Sequence, residues 1–272
     1  MTEQVAQHYG KGGLLDRILG ALVEAGKDID HLTIDDLAPV DEFHSRRRLA
    51  TQELASMLAP TATDNVIDIG SGLGGPSRYL ATTYGCRVSG VDLTPEFVET
   101  AVVLTARIGL SDRVDFRFGS ALDLPFPNAT FACAWSQNVA MNIEDRPRYY
   151  AEINRVLRPG GRLAIQEVAA GNGAALDFPV MWADRPEISF LRTPKETRVL
   201  LEAAGFRVLQ WIDNTETALA EVEAERARGP AAPPILGIHL IVGPSIQEKL
   251  RNAQRSMVDG RTRLINAVLA KA

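Results

Sequence analysis

Between residues 61 and 213 the apolar positions alternate between two periods. Val66–Ile69, Arg87–Val91, Val114–Phe118, Thr130–Trp135 and Arg162–Val168 are short runs rich in β-branched, aromatic and small apolar residues, and they read as buried strands. The stretches between them, 75–84, 95–109 and 146–157, space their apolar residues by three and four and read as helices. Strand–helix alternation predicts an α/β fold, a Rossmann-like doubly wound sheet covered on both faces. Thr193-Pro194-Lys195-Glu196 has the form of a capping box and opens a helix that stops at Gly205. Phe206–Ile212 supplies a sixth strand and the alanine-rich Leu264–Ala270 a seventh, giving a mostly parallel sheet whose last strand runs antiparallel. Thr94-Pro95 reads as an N-cap followed by the first helical position.

Both flanks are helical in pattern. Leu14, Leu15, Ile18, Leu19 and Leu22 form one apolar face, a polar connector rich in aspartate spans 27–41, and 48–58 is a further helix. After the sixth strand, 217–228 and 245–258 read as helices on either side of a proline-rich break. The expected organisation is an N-terminal helical cap (1–60), a cofactor-binding core (61–213), a helical cap insertion (214–260) and the final core strand (261–272).

The sharpest chemical signal is Val66-Ile67-Asp68-Ile69-Gly70-Ser71-Gly72-Leu73-Gly74-Gly75, a strand breaking into a glycine turn ahead of a helix, which is an arrangement that binds nucleotides. Gly70-x-Gly72-x-x-Gly75 satisfies the dinucleotide fingerprint, so an NAD-dependent oxidoreductase is one reading. Asp92 ends the second strand roughly 20 positions on, placed to accept both ribose hydroxyls of either kind of cofactor. Asp68 separates the two. An anion two residues before the turn opposes a pyrophosphate and suits a ligand carrying ammonium and sulfonium groups.

With Gly90-Val91-Asp92-Leu93-Thr94, Gly119–Phe126 and Arg155–Leu163 added in the same order, the chain resembles the class I S-adenosylmethionine-dependent methyltransferases. The likeness is greatest to small-molecule enzymes of the sarcosine/dimethylglycine, tocopherol and sterol type, and it covers about residues 43 to 213. It implies S-adenosyl-L-methionine as methyl donor, S-adenosyl-L-homocysteine as product, and a small-molecule acceptor whose reacting atom is nitrogen, oxygen or carbon. It further implies that Gly70, Ser71, Gly72 and Gly74 line the amino-acid end of the cofactor, with Asp68 supporting its amino group. Asp92 then holds the ribose and Leu93 covers the adenine. Ser120-Ala121 stand where the family commonly has Asp-Ala, so the adenine contact becomes shorter and uncharged. Gln137 ends the fourth strand beside the cofactor. Asn142 occupies the place of a histidine common in the family; an amide cannot act as a base, but it can bind a polar acceptor.

His44 is the candidate catalytic base, reaching the site from the cap; a structural or solvated histidine is the alternative. Tyr9 and Trp182 are candidate substrate contacts, against a frayed terminus for the first and core packing for the second. Arg46-Arg47-Arg48 reads as a solvated helix start or as a contact for an acidic group. A formal net charge of -5 argues against nucleic acid as a partner. No apolar run approaches the ~20 residues of a membrane span. Cys86 and Cys133 read as small buried hydrophobes, no cluster has metal-ligand spacing, and the expected compartment is the cytoplasm. A homo-oligomer is left open, as is a cofactor-binding protein without turnover.

Overall fold

The computed structural model describes residues 12–228 and 234–272. Seven strands form one sheet: β1 (Asn65–Ile69), β2 (Arg87–Asp92), β3 (Val114–Phe118), β4 (Phe131–Gln137), β5 (Leu157–Ala170), β6 (Phe206–Asp213) and β7 (Thr262–Lys271), in the order β3-β2-β1-β4-β5-β7-β6. β7 lies antiparallel to both neighbours, and the ladders joining β1 to β5 are parallel. The doubly wound expectation holds. The chain reverses direction across the sheet between β1 and β4, where open α/β sheets bind ligands beyond the strands' carboxyl ends.

The helices are α1 (Leu14–Glu24), α2 (Ile34–Asp41), α3 (Arg47–Leu58), α4 (Gly75–Tyr84), α5 (Pro95–Arg107), α6 (Arg146–Val156), α7 (Pro194–Ala203), α8 (Thr215–Ala227), α9 (His239–Val242) and α10 (Ile246–Val258). Because side chains alternate along a strand, Ile67, Ile69, Ala134 and Ile165 pack against Tyr149, Tyr150 and Ile153 of α6, and Val66, Val88, Trp135 and Ala164 against α3 and α4. Leu54 and Leu58 of α3 are fully buried in the second layer, so truncating either to alanine costs about 2–5 kcal/mol. α3 is thereby packed against the sheet, and its Thr51 reaches Gln137 of β4.

Three local expectations need correction. The connector 27–41 contains α2, capped by a box in which Thr33 Oγ accepts from Asp36 N–H while the Asp36 carboxylate accepts from Thr33 N–H. Aspartate there does the work that glutamate does in the commoner box. Thr94 holds the N-cap position of α5, but no side-chain cap bond forms; its N–H donates to Asp92 Oδ1 at 2.8 Å. The arginine run is not a solvated face. Arg46 is almost wholly buried and forks to Glu53 of α3 and Glu221 of α8, clasping the second cap to the first, while Arg48 pairs with Glu42 and lies over the Tyr79 ring. Arg47 alone is exposed.

The second cap packs on the first: Leu236 and Ile241 join Leu14, Ile18 and Leu22 in one apolar cluster. Among the described residues no helix is long and apolar enough to cross a membrane.

Candidate active site

A cavity of about 730 Å³ opens above the carboxyl ends of the strands, within the ~300–1,000 Å³ typical of small-molecule sites. One end is built by the loops after β1, β2 and β3. There Gly70, Ser71, Gly72, Asp92, Leu93, Ser120 and Ala121 all line the wall, with Asp68 beneath them. Gly70, Gly72 and Gly74 all have positive φ, a region that side chains beyond glycine rarely enter. A Cβ on Gly72 would meet nothing within 4 Å, so the turn leaves open space on the cavity side. Gly74 is the N-cap of α4, where a Cβ would strike the Phe116 ring at 2.3 Å.

Asp92 ties the turn together: its Oδ2 accepts from Gly72 N–H and its Oδ1 from Thr94 N–H, both at 2.8 Å. Asp68 accepts from Ser77 Oγ at 2.6 Å. Ser71 Oγ and Asn138 Oδ1 are buried, without protein partners, in residues that line the cavity; buried polar atoms of this kind fit ligand hydrogen bonds. Asn138, held at φ 55 after β4, carried no sequence signal beyond its position.

The N-terminal segment meets β4 and β5 on the cavity wall. His44 Nε2 lies 2.8 Å from Glu42 Oε2 and 3.1 Å from Thr51 Oγ, and its Nδ1 lies 3.1 Å from Gln137 Nε2. Gln137 also donates to Gln166 Oε1 at 3.1 Å, and its Oε1 accepts from Trp135 Nε1 at 3.2 Å. Trp135, donor only, therefore fixes which way the Gln137 amide points. Burial works to raise the Glu42 carboxyl, but His44 and Arg48 outweigh it and hold it below its ordinary value. Sequence reasoning found His44 and Gln137 and missed Glu42, Thr51 and Gln166, whose roles arise only from contacts across the fold.

Asn142 turns out to be a clamp. Its amide nitrogen donates to the backbone carbonyls of Trp182 and Ile188 at 2.8 and 2.9 Å, so those donors are spent on the 180–190 loop rather than on an acceptor. Trp182 both lines the cavity and is buried, its Nε1 bonded to Ser189 Oγ at 2.9 Å. Tyr9 lies outside the described residues.

Comparison with known proteins agrees with this geometry. Residues 67–165 match the methyltransferase domain family. The chain is 36% identical over 129 residues to a protein described as probable tocopherol O-methyltransferase, chloroplastic, of Oryza sativa subsp. japonica, covering 46% of this chain and 36% of that one. It thus spans about a third of the rice protein's length. Against the methyltransferase GfsG of Streptomyces halstedii it is 30% identical over 246 residues, covering 88% of this chain and 83% of the relative. The chain belongs to the class I S-adenosylmethionine-dependent methyltransferase family. The fold has the same kinship: a geranyl diphosphate methyltransferase solved with GPP and sinefungin superposes with a TM-score of 0.71 at 20% identity, over 100% of this chain and 99% of that one.

The methyltransferase cofactor, S-adenosylmethionine, suits this end of the cavity better than a dinucleotide. Burial pushes the Asp68 carboxyl up to about 7; the Ser77 hydrogen bond opposes the rise and nearby Asp92 adds to it. Burial likewise raises Asp92, against the backbone N–H groups of Thr94 and Gly72. Two desolvated carboxylates under one turn repel a pyrophosphate and are relieved by a cation.

A pH dependence follows. The ionised Asp68 is the form that attracts a cation, so affinity for S-adenosylmethionine is full above pH 7 and falls below it, by up to about tenfold per pH unit. Stability runs the other way. The folded carboxyl titrates near 7 against an ordinary 3.8, so its neutral form stabilises the fold in acid, and that contribution is lost as pH rises through 7. Asp68→Asn therefore raises Tm at pH 8 by roughly 4 °C, and it weakens cofactor binding and flattens the pH profile. Thermal melts and calorimetric titrations across pH 6–8 check both; a variant that keeps the wild-type pH profile contradicts the assignment.

Proposed function

We propose that this methyltransferase transfers a methyl group to a hydroxyl oxygen of a small-molecule acceptor, with His44 as the base. The observation that carries the reading is the buried Glu42–His44 pair, whose histidine lines the cavity beside Gln137. An ionised carboxylate only accepts, so Glu42 selects the Nε2–H tautomer of His44 and leaves a lone pair at Nδ1. The Gln137 N–H occupies that lone pair in the free protein. An acceptor hydroxyl that takes its place gives up its proton to Nδ1, and the imidazolium so formed is stabilised by Glu42.

When bound, S-adenosylmethionine supplies an electrophilic methyl carbon on a sulfonium. The protein's remaining tasks are alignment and exclusion of water. Asp92 and the glycine turn fix one end of the cavity, and the Arg46 clasp holds α8 over the other. The histidine missing at position 142 is replaced in this reading by one from the N-terminal segment.

The test is a methyl-transfer screen with labelled donor against phenol, alcohol, amine and carboxylate acceptors, with the methylated atom read by mass spectrometry and NMR. Ether products support the reading. N-methyl products alone would overturn it, and cofactor binding without transfer to any acceptor would point to a binding protein.

A further inference from the structure

We infer that the acceptor is a bulky, apolar molecule bearing its hydroxyl at one end, and not an amino acid or a phosphate ester. This deepens the proposed function and rests on it only for the hydroxyl; the apolar character comes from the far half of the cavity. Beyond β4, the wall is supplied by the end of β5, the 171–192 loop, α8 and α10. Val168, Met181, Trp182, Phe190, Leu250 and Met257 face into it. These are large apolar side chains, and two are methionines, which adapt to the shape of what they contact.

Charge gives the complementary half of the argument. A small zwitterion or a phosphate ester needs a desolvated cation for its carboxylate or phosphate. Among the described residues the cavity is lined by four cations, Arg46, Arg47, Arg48 and Arg228; Arg47 and Arg228 are exposed, so neither is a desolvated partner, and Arg228 Nε is turned to Ala224 O at 3.3 Å. Arg46 is consumed by Glu53 and Glu221, and Arg48 by Glu42. Asp68 and Asp92 stand at the cofactor end, and the charged side chains that α8 brings to the wall besides Arg228 are carboxylates, Glu221, which is paired with Arg46, and Glu225. An anion placed among Val168, Leu250 and Met257 would therefore be desolvated without a partner, which is strongly unfavourable. Apolar area, by contrast, gains in proportion to what is buried. The Asn142 clamp keeps Trp182 in place as one wall.

The probes are estradiol, a rigid multi-ring phenol, together with phenol itself, sarcosine and phosphoethanolamine. Each is titrated into protein saturated with S-adenosylhomocysteine and followed by calorimetry and tryptophan fluorescence. The inference predicts that estradiol binds at least about 100-fold more tightly than phenol, in keeping with the extra apolar area, and that sarcosine and phosphoethanolamine show no binding at millimolar concentration.

Ala253 of α10 lines the far half. Ala253→Trp fills that half and lowers estradiol affinity at least tenfold, while S-adenosylhomocysteine affinity stays at the wild-type value and so reports an intact fold. Tighter binding of sarcosine or phosphoethanolamine than of estradiol overturns the inference, as does an estradiol affinity that Ala253→Trp leaves unchanged. Binding is read without turnover, so estradiol binding with no methyl transfer to it removes His44 as the base and leaves the apolar assignment standing. Failure of His44 as the base and failure of the apolar assignment are thereby told apart.

Discussion

Replacing His44 with alanine lowers kcat by about 10²–10⁴-fold, the range expected for loss of a positioned base, while S-adenosylhomocysteine affinity stays close to wild type. The separation follows from the geometry. His44 contacts Glu42, Thr51, Gln137 and the Ser45 carbonyl, and none of these hydrogen bonds reaches the glycine turn or Asp92. Glu42→Gln gives a smaller loss, because a glutamine still accepts from Nε2–H but does not stabilise the imidazolium. The measurement is turnover with a working hydroxyl acceptor, beside S-adenosylhomocysteine affinity, for all three proteins. Retained turnover in His44→Ala removes the base from the mechanism. A loss matched by an equal loss of cofactor affinity makes His44 a structural residue.

Replacing Asp92 with alanine weakens cofactor binding by at least about tenfold, as expected when a charged acceptor of two ribose hydroxyls is removed. The carboxylate has two functions to lose. It also accepts from Gly72 and Thr94 N–H, so alanine leaves both donors without their partner and loosens the turn. Asp92→Asn separates the two. The amide keeps one acceptor oxygen, so it preserves part of the turn while losing the charge. Calorimetric titration with S-adenosylhomocysteine, beside thermal melts, distinguishes the cases. Unchanged affinity in a folded Asp92→Ala protein would sink the ribose assignment. An affinity loss only in proportion to destabilisation would make Asp92 a turn residue.

The sheet was legible in the sequence because its strands are short runs dense in residues that favour a pleated, buried surface, such as Val66-Ile67 and Ala164-Ile165, separated by helices of a different period. α2 was not legible. Its large apolar residues are only Ile34, Leu37 and Val40, Pro39 lies inside it, and an aspartate completes its cap. The cofactor end could be read because its residues are contiguous: Asp68 to Gly72, then Asp92-Leu93, then Ser120-Ala121. Gly74 is assigned to the ligand for the same reason, and its lack of a side chain also accommodates Phe116.

The acceptor end could not be read. Val168, Met181, Phe190, Leu250 and Met257 are ordinary apolar residues spread over 90 positions of the chain, and only the packing of α8 and α10 against the end of β5 collects them. Glu42 is similar. Its place beside a histidine two residues on is unremarkable until α3 and β4 enclose both.

The central claim is that the acidic glycine-turn end of the cavity holds the cofactor with its reactive centre facing His44 and the apolar half. A crystal structure of the S-adenosylhomocysteine complex tests it most directly. The predicted result is a ribose on Asp92, the amino group toward Asp68, and the sulfur open toward His44 and Gln137 with no side chain between. A ribose away from Asp92, or a sulfur turned from His44 toward α5, would contradict it.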